Sequence, residues 1–267
     1  MKEKKELEQI AKEIRRDIVD MIYHAKSGHP GGSLSCTDIL TVLYHHEMNF
    51  NENDNGQRID KCIVSKGHAA PAYYATLASV GFIPKEDLPT LRQYHSYLEG
   101  HPSNKIPGVD ASSGSLGQGL SVANGMALSK KISHEKGNVY CILGDGELEE
   151  GQIWEAFMSA NKYQLSSLIA IIDHNGLQID GTVESVKKLE HLQEKIESFG
   201  MQVQVIDGHD ISAIIQAIQQ AKNSERPSCI IANTIKGKGV SFMENKVEWH
   251  GKSLTDEEYE MAMKELE

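Results

Sequence analysis

The sequence has 267 residues, with 27 Lys plus Arg against 38 Asp plus Glu, a formal net charge of −11 with His neutral, and 39% apolar residues. That length carries a substantial core, and the branched-aliphatic content excludes a disordered chain. No run approaches the ~20 apolar residues that span a bilayer, and the acidic balance excludes a general nucleic-acid or membrane-surface binder.

Any anionic ligand must therefore be held locally, by a helix start, a metal or a few histidines. The N-terminus, MKEKKELEQIAKEIRR, lacks an apolar h-region, so a cytoplasmic location is expected. Cys36, Cys62, Cys141 and Cys229 form no CxxC pair and read as reduced core cysteines.

Leu7, Ile10, Ala11, Ile14, Ile18, Met21, Ile22 and Ala25 recur at steps of three and four, which predicts an amphipathic first helix. It stops at the breaker cluster Ser27-Gly28-His29-Pro30-Gly31-Gly32. A second helix, opened by Ser33 or Ser35, runs through about His46. Residues 49–60 are a polar loop, and 61–65 a short buried strand. A helix from Gly67-His68-Ala69 to about Val80 follows. Residues 92–114 form a long connection rich in His, Gly and Pro, of a length that is usually functional or disordered.

Ser115 to Gly119 lead into a helix through about Lys131. Strand 138–143 ends in Gly144-Asp145-Gly146 and is followed by a helix from Glu150 to about Tyr163. Strand 167–172 ends in Asp173-His174-Asn175. Helix 185–199, strand 202–206, helix 211–222 and strand 228–233 alternate, and Thr255 to Glu267 is a short acidic helix. Continuous apolar strands alternating with helices predict an α/β fold, a mostly parallel sheet with helices on both faces. No Pro/Gly/Ser linker interrupts residues 1–267, so one domain is expected. Ligands bind such sheets beyond the carboxyl ends of the strands.

Asp145 and Asn175 stand 30 residues apart, one strand–helix–strand unit. If those strands are neighbours, a carboxylate, an amide oxygen and a backbone carbonyl can form an incomplete oxygen shell for Mg²⁺ or Ca²⁺. The bland alternative is that GDG and Asn175 are turn residues. His45, His46, His134 and His191 read as surface residues. His29, His68, His101 and His250 each adjoin Gly in a loop or at a helix start, where imidazole can hold a diphosphate or sugar hydroxyl and move protons. Each can equally be a satisfied loop histidine. No zinc spacing, P-loop, GxGxxG frame or nucleophile elbow occurs.

Residues 144–181, GDGELEEGQIWEAFMSANKYQLSSLIAIIDHNGLQIDG, resemble the thiamin-diphosphate motif, which opens with GDG and closes with Asn. SGHPGG at 27–32, SKGHAAPAYY at 65–74, GHP at 100–102, GSLGQGLS at 114–121, TIKGKGVSFMEN and EWHGKSL follow in the order of the N-terminal half of transketolase.

The resemblance implies a diphosphate-binding domain holding thiamin diphosphate through Mg²⁺, with Ca²⁺ or Mn²⁺ as substitutes. Asp145, Asn175 and the carbonyl of Leu177 would be the metal ligands. Gly146, His68 and His250 would face the diphosphate, and Gly114, Leu116 and Ile179 the rings. His29, His101 and His250 would orient the donor sugar. Ser115 and Lys66 depart from the commoner family residues and are expected to matter little.

The family's activating glutamate and sugar-phosphate groups lie in a C-terminal half that this sequence does not contain. A separate pyrimidine-binding subunit, in an α2β2 assembly acting on sugar phosphates, is therefore expected. Glu150 is expected at an interface or as a solvated helix-start carboxylate. Two alternatives stay open. One is a related subunit for another sugar or a 2-oxo acid, such as a 1-deoxyxylulose-phosphate synthase, which a donor–acceptor panel would separate. The other is a non-catalytic binding paralogue, which failure to bind cofactor would favour.

Overall fold

The computed structural model describes residues 2–52 and 56–267. Five strands form one parallel sheet in the order β1-β2-β3-β7-β6: β1 (Lys61–Val64), β2 (Val139–Gly144), β3 (Leu168–His174), β6 (Gln202–Asp207) and β7 (Ser228–Asn233). Because all run one way, Ser65, Asp145, Asn175 and Thr234 emerge at the same edge. Register sets Gly144 against Asp173 and His174 against Asn233.

Strand periodicity divides the core into two layers. Tyr140, Ile142, Ile169, Ile171 and Ile230 face one side. There they pack with α1 (Lys4–Ala25), α3 (Thr37–Val42), α4 (Ala70–Ser79), α9 (Ile211–Lys222) and α10 (Asp256–Glu265). Cys141, Leu143, Ala170, Ile172 and Ile231 face the other, against α5 (Gly119–Ile132), α6 (Gly151–Lys162) and α8 (Leu192–Ser198). All four cysteines are buried and unpaired, as the sequence implied. Among the described residues no helix is long and apolar enough to cross a membrane.

Several expected boundaries move. Pro30-Gly31-Gly32, a breaker by sequence, instead opens α2 (Pro30–Ser35), with Pro in the first turn, where it has no intrahelical partner to lose. The expected helix to His46 breaks at Cys36, continues as α3, and ends in a wide turn over Leu43–Glu47. Gly67–Ala69 is one tight turn before α4, whereas the helix that Ser115 to Gly119 lead into starts at Gly119, as expected.

The helix expected over 185–199 is interrupted. α7 (Val183–Val186) ends at an extended Lys187, and α8 restarts after His191, which sits at φ 55. Of residues 187–191, Leu189 alone packs against the core, and only partly buried, which is little to anchor a continuous helix. A small hairpin, β4 (Leu177–Gln178) with β5 (Gly181–Thr182), has no counterpart among the expected elements. The polar loop 49–60 falls partly outside the described residues.

The long connection is ordered by its own anchors. Leu91, Leu98 and Ile106 are buried, and the Tyr74 hydroxyl donates to the carbonyls of Glu99 (3.0 Å) and His101 (3.1 Å). The four histidines assigned to the surface divide. His134 and His191 are exposed. His45, half-buried, bonds Ser79, and the His46 ring is buried beside Glu47 at 2.9 Å.

Candidate active site

The ends of β1, β2, β3 and β7 surround a cavity of about 220 Å³. Asp145 is its most constrained wall. The residue is 2% exposed, and its oxygens accept from the Gly146 (2.9 Å) and Gly176 (2.5 Å) N–H groups. Among the described residues no cation pairs with it. Burial, then repulsion from Asp173, pushes its carboxyl above the ordinary range. Asn175 accepts from Leu177 N–H at 3.2 Å and donates to Asp173 at 3.3 Å. Asp145, Asn175 and Leu177 thus line one wall.

Three histidines converge beside them. Ring centroids lie 5.3 Å apart for His29–His68, 5.5 Å for His29–His250 and 5.1 Å for His68–His250. Burial is the leading cause that holds His29 down to about 4, His250 down to about 3 and His68 well below the usual imidazole value. At neutral pH all three are uncharged. His29 Nδ1 is buried with no hydrogen-bond partner among the described residues.

The sequence-derived residues do not all fall together. Asp145, Gly146, Asn175, Leu177, His68 and His250 line the cavity, as do Leu116 and Ile179. Ile179 stands 64% exposed, in the β4–β5 hairpin. His29 reaches the group through the other two rings. His101 is exposed on the long connection and packs against Gly114. Gly114 meets Gly67 rather than the cavity, and a Cβ on Gly67 would lie 2.7 Å from Gly114 N. Glu150 is exposed, at the start of α6.

Four residues, Lys66, Lys236, His209 and Glu147, have partners that the sequence does not show. Lys66, expected to matter little, is 1% exposed. Its ammonium donates to Gly32 O at 2.7 Å and to Asp173. Asp173 also accepts from Ser35 and Thr234. Burial alone would raise its carboxyl, but Lys66 and these donors hold it below the ordinary value. Lys236, from the segment after β7, reaches His250 Nδ1 at 2.9 Å and Leu177 O at 3.3 Å. Burial, then repulsion from Lys66, lowers it to about 8. A protonated Lys236 donates to Nδ1, so the proton of neutral His250 sits on Nε2.

His209 accepts from Ile235 N–H (2.8 Å) through Nε2 and donates through Nδ1 to Asp38 (2.7 Å), whose other bonds go to Arg15. It fixes the segment that delivers Lys236. Glu147 is 2% exposed among three donors. Lys66, Glu147 and Lys236 lie inside the family-like stretches, which say nothing of these partners, and His209 lies outside them.

Two buried ammoniums, glycine backbone and neutral imidazoles suit a compact anion. A buried carboxylate with an amide and a carbonyl oxygen suits a hard cation bridging to it. Fold and site together define an α/β protein with a cavity suited to an anionic ligand at the carboxyl ends of its strands.

The chain belongs to the transketolase family: residues 7–266 match the family model described as "Transketolase, thiamine diphosphate binding domain". It is 43% identical over 265 residues to the 6-deoxy-6-sulfo-D-fructose transketolase subunit SqwG of Clostridium sp. (strain MSTE9), covering 98% of this chain and 96% of that protein. It is 41% identical over 254 residues to an apulose-4-phosphate transketolase subunit of Phocaeicola vulgatus, covering 94% and 90%. The crystal structure of Campylobacter jejuni transketolase superposes with a TM-score of 0.92 at 34% identity, over 100% of this chain and 43% of that one. The chain thus spans less than half of that enzyme, and 42% of human transketolase.

Proposed function

We propose that this chain is the diphosphate-holding subunit of a two-chain transketolase that moves a two-carbon ketol unit from a ketose to an aldose, both bearing a terminal anion. The observation that carries the proposal is Asp145, a buried carboxylate in no close ion pair among the described residues, which lines one cavity with Asn175, Leu177, two lysines, His68 and His250, while His29 packs against those two rings.

Asp145, Asn175 and the Leu177 carbonyl hold Mg²⁺, and Lys236, His68 and the Gly146 backbone hold the diphosphate of thiamin diphosphate. When bound, that cofactor supplies the carbanion sink for cleavage of the C–C bond. The chain's own residues bind, orient and move protons. Neutral His250, with its proton on Nε2, donates to a substrate oxygen. Neutral His29 and His68 accept or donate within the same cluster. His101, outside the cluster, meets the sugar at the mouth.

A partner chain supplies the glutamate that activates the aminopyrimidine. The glutamate lining this cavity, Glu147, has both oxygens committed to Ser65, Gly117 and Gly144. Support comes from two relatives named as transketolase subunits, each covered over 90% or more of its length. An α2β2 cytoplasmic assembly follows from the same reading.

The test is ketol transfer by the purified chain with thiamin diphosphate and Mg²⁺, with and without a co-expressed pyrimidine-binding chain. A panel of phosphorylated and sulfonated ketoses serves as donors. Turnover only with both chains is expected. Full turnover by this chain alone overturns the two-chain reading, and none with any donor overturns the activity.

A further inference from the structure

The loop that brings Leu116 to the cavity has few ties of its own. Among the described residues, no hydrogen bond but one links residues 114–117 to anything outside the loop. That one runs from Gly117 N–H to Glu147 Oε1, at 2.9 Å.

The same carboxylate gathers two other segments. Oε2 accepts from Gly144 N–H at the end of β2, at 3.1 Å. Oε1 also accepts from the Ser65 hydroxyl at the end of β1. Ser65 Oγ in turn accepts from Gly119 N–H at 3.1 Å, the first residue of α5.

Close packing matches the bonding. Gly117 sits at φ +82, and a Cβ on Gly119 would stand 2.4 Å from Ser65 Oγ. Among the described residues the Glu147 carboxylate has no ion pair. It is met by three donors, the arrangement a buried carboxylate requires.

We propose that Glu147 is a positioning residue whose carboxylate fixes the 114–119 loop, and with it Leu116, against the ends of β1 and β2 before any ligand arrives. The proposal rests on the reading of the cavity as the cofactor site. Leu116 is a wall of that cavity, so a loop held in one conformation presents one wall and spares the ligand the cost of ordering it. Glu147 itself touches no ligand in this scheme, since its oxygens are all engaged.

The test uses the full chain with Glu147→Gln, which keeps size but turns one acceptor into a donor facing an N–H. Amide hydrogen exchange without ligand should accelerate about tenfold or more over residues 114–121, the scale of one charged hydrogen bond lost. Exchange in β7 and α9 should stay at the parent rate. Thiamin diphosphate affinity with Mg²⁺, by calorimetry, should fall by a similar factor.

Unchanged exchange over 114–121, or equal acceleration in β7 and α9, overturns the proposal. If Glu147→Gln does not fold, Ser65→Ala serves. It removes the Ser65 hydroxyl that links Glu147 to Gly119, leaves the bonds from Gly117 and Gly144 to Glu147 in place, and should accelerate the same segment more weakly. Uniform behaviour overturns the proposal there too. Should the parent chain bind no cofactor in isolation or with a partner, the functional reading fails. The exchange experiment would still decide the role of Glu147 in the loop.

Discussion

Lys66 and Asp173 form an ion pair whose side chains are 2% and 0% exposed. It joins the end of β1 to the end of β3 across the intervening β2. Gly32 O, Ser35, Thr234 and the Asn175 amide add further hydrogen bonds to the pair. A buried pair is costly to break from one side, because the surviving charge keeps its desolvation penalty. Lys66→Met should therefore lower unfolding free energy by about 3–5 kcal/mol. Lys66→Met with Asp173→Asn should recover a large part of that loss. Urea titrations of the two variants and the parent measure both. A single variant within about 1 kcal/mol of the parent would show that the pair contributes little.

Asp145 makes the opposite prediction for stability. Its folded carboxyl lies above the ordinary value, first because of burial and then because of Asp173. The native state therefore holds its proton more tightly than the unfolded chain does. Stability from this group is present at low pH and lost as pH rises through the raised value. Asp145→Asn removes that liability while keeping an acceptor for a backbone N–H. The ligand-free variant should melt at or above the parent temperature at pH 7, yet lose metal-dependent thiamin diphosphate binding. Calorimetric titration with Mg²⁺ and cofactor reads the second effect. Retained affinity contradicts the ligand assignment.

Strand alternation and the GDG…Asn spacing make the sheet and the Asp145–Asn175 wall legible, because each signal is local. The partners that neutralise this site are not local. Lys66 and Asp173 stand 107 residues apart and Ser65 and Glu147 82 apart. A lysine after a strand looks like a solvated residue until the fold brings a carboxylate to it. His209 is similar, since its role depends on Asp38 from α3 and on the Ile235 amide. Helix ends mislead for another reason. Gly31 reads as a breaker, but a Cβ there would lie 2.8 Å from Trp249 O. It is a packing glycine inside a helix.

The neutral histidines give the ligand-free chain an acid sensitivity with a definite window. His29 is held at about 4 in the folded chain, with burial the main cause, against an ordinary 6.5. Between those values the unfolded chain takes up a proton that the native state refuses. Stability therefore falls as pH drops from about 6.5 and stops falling from this group below about 4. His250, held at about 3, extends the same trend further down. Urea midpoints taken from pH 7 to pH 4 should decline, and His29→Gln should flatten the slope in that range. An unchanged slope in the variant would mean that His29 is not buried neutral.

Gly67 tests how closely the long connection must approach the sheet edge. A Cβ there would lie 2.7 Å from Gly114 N and 2.9 Å from Gly114 Cα, both backbone atoms that no rotamer change can move away. Gly67→Ala must therefore separate the β1 end from the 113–114 segment, with a cost of about 1–3 kcal/mol for overpacking. The displaced segment carries the contact between Gly114 and His101, so donor-sugar affinity should weaken more than cofactor affinity, as separate titrations of the two ligands would show. Gly125→Ala is the control. Among the described residues nothing lies within 4 Å of a Cβ at that position, and it occupies the interior of α5, where Ala outranks Gly by about 0.5–1 kcal/mol. Destabilisation by the first substitution and stabilisation by the second are expected. Equal effects at the two positions would rule out the backbone contact as the cause.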